Sequence, residues 1–169
     1  MKQFFEKNRE VILYLVFGVI TTVVAFCTYE AVLLIGEHVF AVSMEDKTAL
    51  PYLIVYTLAQ VLQWISAVLT AFYTNRRWVF TEADHSKGLL WQQLWLFAGS
   101  RVATFILDLV ATFGFIQLLN LWIDPDTAPA ILGIKLDAEL WAKVIVSVIV
   151  IVANYVLSKL IVFRKSKKD

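Results

Sequence analysis

The sequence predicts an all-α membrane protein: four transmembrane helices arranged as two hairpins, with the N- and C-termini cytoplasmic. Three observations lead there. The 169 residues are 60% hydrophobic and only 17% charged, with a mean hydropathy of +0.72, which is too little charge for a soluble domain of this length. The apolar residues gather in four runs, at 11–35, 52–74, 91–122 and 140–163, and each supplies the roughly 20 helical residues that a hydrocarbon core of ~30 Å requires. None alternates strictly between apolar and polar, as barrel strands do. A helix satisfies its own backbone hydrogen bonds in lipid.

The first helix, 11–35, follows Lys2, Lys7 and Arg9, as a secretory signal would. Its apolar length exceeds the roughly 7–15 residues of a signal core, and Cys27 follows Phe26, where a lipoprotein cleavage site needs a small residue. It is expected to remain as an uncleaved span. A single cysteine allows no internal disulfide, so Cys27 reads as a packing residue. The second helix, 52–74, starts after Pro51 and closes on Asn75-Arg76-Arg77-Trp78-Val79-Phe80. The third run is longer than a span needs, and the tryptophans near its ends belong at headgroup level. Its helix is expected over 92–120, with the span near 94–118. The fourth, 140–163, follows a loop broken by Pro125 and Pro129 and ends in Ser158-Lys159-Leu160-Ile161-Val162-Phe163. No long linker or low-complexity stretch divides the chain, so 1–169 reads as one four-helix transmembrane domain.

Charge sets the orientation. Lys2, Lys7 and Arg9, then Arg76, Arg77 and Lys87, then Arg164, Lys165, Lys167 and Lys168 cluster at the termini and the middle loop, whereas the other two loops hold Lys47 and Lys135. Cytoplasmic loops keep the positive charge. The outer loops carry Glu37, Glu45, Asp46, Asp124, Asp126, Asp137 and Glu139. The net charge of +1 hides this asymmetry and gives no reason to expect a nucleic-acid partner.

The two closing phrases align with Arg76 over Lys159 and Val-Phe over Val-Phe, and Tyr14–Val23 matches Leu94–Ala103 loosely. An internal repeat of about 80 residues, one hairpin each, is expected, and since both halves start and return inside, the repeats are parallel.

Polar side chains at membrane depth are costly and are functional candidates by default. At 100° per residue Lys143, Ser147, Val150, Asn154 and Ser158 share one face of the fourth helix. Arg101, Thr104, Asp108 and Thr112 share one face of the third, and Gln60, Gln63, Ala67, Thr70 and Thr74 share one of the second, with Asn75 beside them. Turned toward one another, these stripes would form a hydrophilic seam through the membrane. Other readings stand beside this one. Polar groups also glue helices together, with Arg101 pairing Asp108 along its own helix, and Lys143 and Lys159 are placed to snorkel to water. Glu30 and Asp108 read as carboxylates that neutralise Lys143 and Arg101. Arg76 and Arg77 serve either as topological anchors or as a phosphate landing site, for which a guanidinium fork is well shaped.

Nothing points to an enzyme or to a cofactor. His38 and His85 stand alone, outside any metal-ligand spacing. The phosphate-loop and dinucleotide glycine patterns are both missing.

Taken together, the four short helices, Asn75 to Phe80 closing the second, Phe97 with Arg101 early in the third, Lys143 opening the fourth and Asn154 to Phe163 ending it resemble the GtrA-like membrane proteins over nearly the whole chain. The resemblance implies a multi-pass protein of the bacterial inner membrane that serves cell-surface polysaccharide glycosylation. It implies a flippase that carries a polyprenyl-phosphate-linked monosaccharide, such as undecaprenyl-phosphate glucose, from the cytoplasmic to the periplasmic leaflet, beside membrane glycosyltransferases that make and consume that lipid. The family's motif residues fall on Ala71, Asn75, Val79, Phe80, Phe97, Arg101, Lys143 and Asn154. Lys159 and Ile161 depart from a close copy of the first closing phrase. The residues fit that role: Arg76 and Arg77, Arg101 and Lys143 would hand on a phosphate, and Asn75, Asn154, Gln60 and Gln63 would bond sugar hydroxyls. Four helices enclose little volume, so a homodimer or other homo-oligomer is expected. Two other readings remain open: a non-transporting accessory subunit of a polyprenyl-phosphate glycosyltransferase, and a small multidrug-type exporter that would depend on Glu30.

Overall fold

Four helices long and apolar enough to cross a membrane dominate the computed structural model, at Asn8–His38, Leu50–Val79, Lys87–Leu119 and Ala138–Val162. The structure describes residues 2–84, 86–123, 130–131 and 134–164. Pro125, Pro129, Asp124, Asp126, His85 and the terminal Lys165, Lys167 and Lys168 lie outside the described residues, as do the side chains of Lys2, Lys7 and Lys135.

Helix α1 runs Lys2–His38, with a kink at Asn8 (φ −111°, ψ 15°) that separates a polar leader from the span. Helix α2, Leu50–Thr74, opens with Pro51 in its first turn, where a missing N–H costs nothing. Helix α3 covers Leu90–Leu119 behind a short 3₁₀ turn at Lys87–Leu89. Helix α4, Ala138–Leu157, is capped by Asp137, whose side chain accepts the Leu140 N–H at 3.0 Å. The expected starts fall nine residues late in α1 and two late in α2 and α4, because apolar length marks the membrane-crossing part while helix continues into polar flanks, whereas the expected end at 163 lies beyond α4, which gives way to a π turn after Leu157. Besides the helices there is a two-residue antiparallel ladder, β1 Ala130–Ile131 with β2 Ile134–Lys135, in the loop before α4.

The helices pack as two compact units. The first, within Met1–His85, is the α1/α2 hairpin; the second, Ser86–Arg164, is the α3/α4 hairpin. Small residues let each pair approach. Gly36 of α1 lies against α2 so closely that a Cβ there would meet Val55 Cγ1 at 2.5 Å, and a branched side chain cannot easily swing away. Ala59 of α2 and Ala142 of α4 are both fully buried. They occupy the same place in the two repeats when Arg76 is set over Lys159.

Both hairpins end alike. At Asn75–Val79 and again at Ser158–Val162 the final α-helix loosens into one π turn. The Phe80 N–H donates to the Asn75 carbonyl and the Phe163 N–H to that of Ser158, each at 2.8 Å. The Val-Phe pair that recurs in sequence buries itself at the same step both times, as Val79 with Phe80 and Val162 with Phe163. The recurrence is therefore structural: each phrase encodes the π turn that stops its helix.

Candidate functional site

The second hairpin brings two of the predicted stripes together. From α3, the Thr104 hydroxyl donates to Asn154 Oδ1 of α4 at 2.8 Å, and it is almost wholly buried. Further along, Lys143 Nζ of α4 donates to Asp108 Oδ2 of α3 at 3.2 Å as an ion pair. From Thr104 to Asp108 is about 6 Å along α3, whereas Asn154 to Lys143 is about 16 Å along α4. The lysine chain thus folds back toward the middle of its helix to reach the carboxylate, opposite to the direction snorkelling would take. The Lys143 side chain remains 58% exposed and Asp108 24%, so the pair is open on one side.

Arg101 lies on the same face of α3. Its Cζ sits 4.6 Å from the centroid of the Phe97 ring, a cation over an aromatic face. Phe97 is fully buried and packs on Phe163, the residue that closes the π turn, with ring centroids 6.0 Å apart. The guanidinium is thus supported by the element that ends α4. At that end Lys159 Nζ donates to the Tyr155 hydroxyl at 3.0 Å.

Of the two cations that Asp108 was expected to neutralise, it pairs with Lys143 and not with Arg101 on its own helix, because the α3/α4 register carries the ammonium to it. Glu30 is half-buried on α1.

In the first hairpin Gln60 and Gln63 form a chain, with Gln63 Nε2 donating to Gln60 Oε1 at 2.8 Å and Gln60 Nε2 donating to the Tyr56 hydroxyl at 2.9 Å. Asn75, Arg76 and Arg77 all lie in the first π turn. Asn75 is buried and its Oδ1 has no hydrogen-bond partner, while Arg77 is exposed and Arg76 half-buried. Trp78 stacks on Phe17 of α1, centroids 5.3 Å apart, and meets the Tyr73 ring edge-on at 5.4 Å.

Sequence reasoning missed two features. Ser158 Oγ is fully buried and partnerless, as Asn75 Oδ1 is at the matching position of the other π turn. Aligning the closing phrases marked the pair, but the alignment says nothing of hydrogen bonding. The second is the tyrosine cluster around Tyr56, whose four-residue spacing from Tyr52 and Gln60 was the available signal.

Comparison with known proteins gives a consistent answer. The model of the family described as GtrA/DPMS, transmembrane domain, matches residues 13–163. The "Cell wall teichoic acid glycosylation protein GtcA" of Listeria monocytogenes serovar 1/2a is 30% identical over 112 residues, and its namesake in Listeria innocua serovar 6a is 31% identical over 112 residues. In both cases the match spans 66% of this chain and 66% of the relative, just under two thirds. The "Uncharacterized membrane protein YwcD" of Bacillus subtilis is 27% identical over 157 residues, covering 93% of this chain and 98% of that protein. No solved structure matches.

Proposed function

The chain belongs to the GtrA/DPMS transmembrane-domain family, a multi-pass membrane protein in keeping with the bacterial inner membrane, and on that premise we propose that it is a lipid flippase. Its cargo is a polyprenyl-phosphate-linked monosaccharide, carried from the cytoplasmic to the periplasmic leaflet for glycosylation of a cell-wall polymer. The cell wall teichoic acid glycosylation for which its Listeria relatives are named supports the process. The termini are cytoplasmic, the working form is a homodimer, and the partners are the membrane glycosyltransferases that make and use the lipid.

One observation carries this reading: the face shared by α3 and α4, with Arg101, the Thr104–Asn154 bond and the open Lys143–Asp108 pair in line. The difficulty in moving such a lipid is its head, because an unpaired phosphate in hydrocarbon costs several kcal/mol or more. Lys143 is half-exposed and already paired to a carboxylate. A phosphate can meet Lys143 on its open side while Asp108 keeps its place on the other, so the carboxylate is not stranded. Arg101 offers a planar fork suited to phosphate oxygens. Asn154 and Asn75 supply amide contacts, and Arg76 and Arg77 receive the head at the cytoplasmic boundary. The isoprenoid tail stays in lipid throughout.

The test is reconstitution. Liposomes holding the purified protein are expected to exchange a polyprenyl-phosphate hexose between leaflets faster than protein-free liposomes. Exchange at the protein-free rate, together with stable recovery of a glycosyltransferase on pull-down, would replace the flippase with an accessory subunit. Normal exchange by Arg101→Ala alongside loss in Glu30→Gln would favour a cation exporter.

A further inference from the structure

Helix α3 buries few of its side chains: of its 30 residues, Gln93, Phe97 and Thr104. Phe97 is fully buried, and the end of α4 helps to cover it. Phe163 lies against it with ring centroids 6.0 Å apart and planes at 49°. The π turn aims that ring. At 100° per residue Phe163 would stand about 140° around the helix from the buried Ser158. Closing the turn five residues back, from the Phe163 N–H to the Ser158 carbonyl, brings it round toward the same side. Val162 and Phe163, neighbours in sequence, are thereby buried together.

The Phe97 ring carries a cation on its face. Arg101, one turn further along α3, sets its Cζ 4.6 Å from the ring centroid. Long helical side chains lean over the preceding turn, so the i,i+4 spacing makes Phe97 the surface on which the arginine rests. Packing of two aromatics accounts for the rings but not for the cation, which has the length to snorkel to water. The first hairpin is the contrast. There Phe17 and Thr21 match Phe97 and Arg101, and Phe17 stacks on Trp78, an exposed ring, with no arginine above it in the next turn.

We propose, resting on the flippase reading above for the identity of the ligand, that Phe163 is a positioning residue for Arg101. Through the ring of Phe97 it fixes the depth and direction from which the guanidinium meets the lipid phosphate. Stacking on a ring engages the flat face of a guanidinium, whereas phosphate oxygens are met by its N–H edge, so support and binding are compatible. Phe163 acts through its neighbour and contributes no group to the ligand.

The test reads Arg101 directly. With the full chain in detergent micelles and its arginines isotopically labelled, the Arg101 signal is identified by its loss in Arg101→Lys. The Phe97 ring is expected to shift the Arg101 Cδ protons upfield. Phe163→Leu, which keeps apolar bulk, should remove most of that shift and Phe163→Tyr should retain it, both variants melting as the wild type does. Phe163→Leu is also expected to bind a short-chain polyprenyl phosphate about three- to tenfold more weakly, the worth of a cation–π contact. In an Arg101→Lys background it should change nothing further. An unmoved Arg101 signal in Phe163→Leu, or the same loss of affinity with and without the arginine, overturns the proposal and leaves Phe163 as core packing. Leaflet exchange by wild-type protein in liposomes judges the flippase separately: no exchange, with the Arg101 signal moving as expected, would remove the lipid and uphold the positioning.

Discussion

The two hairpins have one backbone plan and different chemistry. Each ends in a π turn closed by Val-Phe, and each buries an alanine at the same step, Ala59 or Ala142. Setting Phe17 over Phe97 and Arg76 over Lys159, the repeats match Thr21 to Arg101, Thr28 to Asp108 and Gln60 to Lys143. Every charge on the α3/α4 face thus has an uncharged hydroxyl or amide as its counterpart in the first hairpin. The two hairpins thus share what positions their helices and differ in the polar stripe. The second hairpin pairs charge with charge, Lys143 with Asp108, whereas the first joins amides to a phenol along one helix.

The comparison breaks most visibly if the second hairpin is made to resemble the first. Arg101→Thr with Lys143→Gln is expected to cut lipid exchange in liposomes by a hundredfold or more, since losing several kcal/mol of phosphate stabilisation costs about tenfold per 1.4 kcal/mol. The reciprocal change in the first hairpin, Gln60→Leu, should reduce exchange of the sugar-bearing lipid by only about tenfold. Equal losses from both would mean that the charges of the α3/α4 face have no special part in exchange.

Packing gives the next largest effect. Gly36→Val drives a branched side chain into Val55 and is expected to destabilise the α1/α2 hairpin by about 1–3 kcal/mol. Hydrogen exchange should quicken there and leave α3 and α4 protected; uniform quickening would mean that the hairpins do not behave as separate units. Thr104→Val removes the α3/α4 bond to Asn154 and should cost about 0.6–1 kcal/mol, measured by unfolding in detergent. Smallest is the loop after α1. There Asp46 accepts from the Thr48 hydroxyl at 2.7 Å and from its N–H at 3.0 Å, which hold its carboxyl below the usual range. Thr48→Val should raise that pKa toward the ordinary aspartate value in an NMR titration, without touching exchange.

Much of this was legible in the residues. Four spans follow from apolar length alone, and the faces of α3 and α4 follow from the 3.6-residue period. The partner of Asp108 was left open between Lys143 and Arg101, because periodicity gives the face of a helix and not its register against a neighbour; the Thr104–Asn154 contact, 50 residues apart in sequence, decides that. The π turns left a trace, as a recurring phrase whose meaning was hidden. Widening a hydrogen-bond ring by one residue has no compositional signature, and only Phe80 and Phe163 donating five residues back reveal it.

Where the phosphate sits is decisive, and a structure of the protein holding a short-chain polyprenyl-phosphate hexose locates it directly. The phosphorus is expected beside the α3/α4 face, with its oxygens within about 3 Å of Arg101 or Lys143 nitrogens. A phosphate bound elsewhere, with the Lys143–Asp108 pair closed and Arg101 away from the ligand, would contradict it.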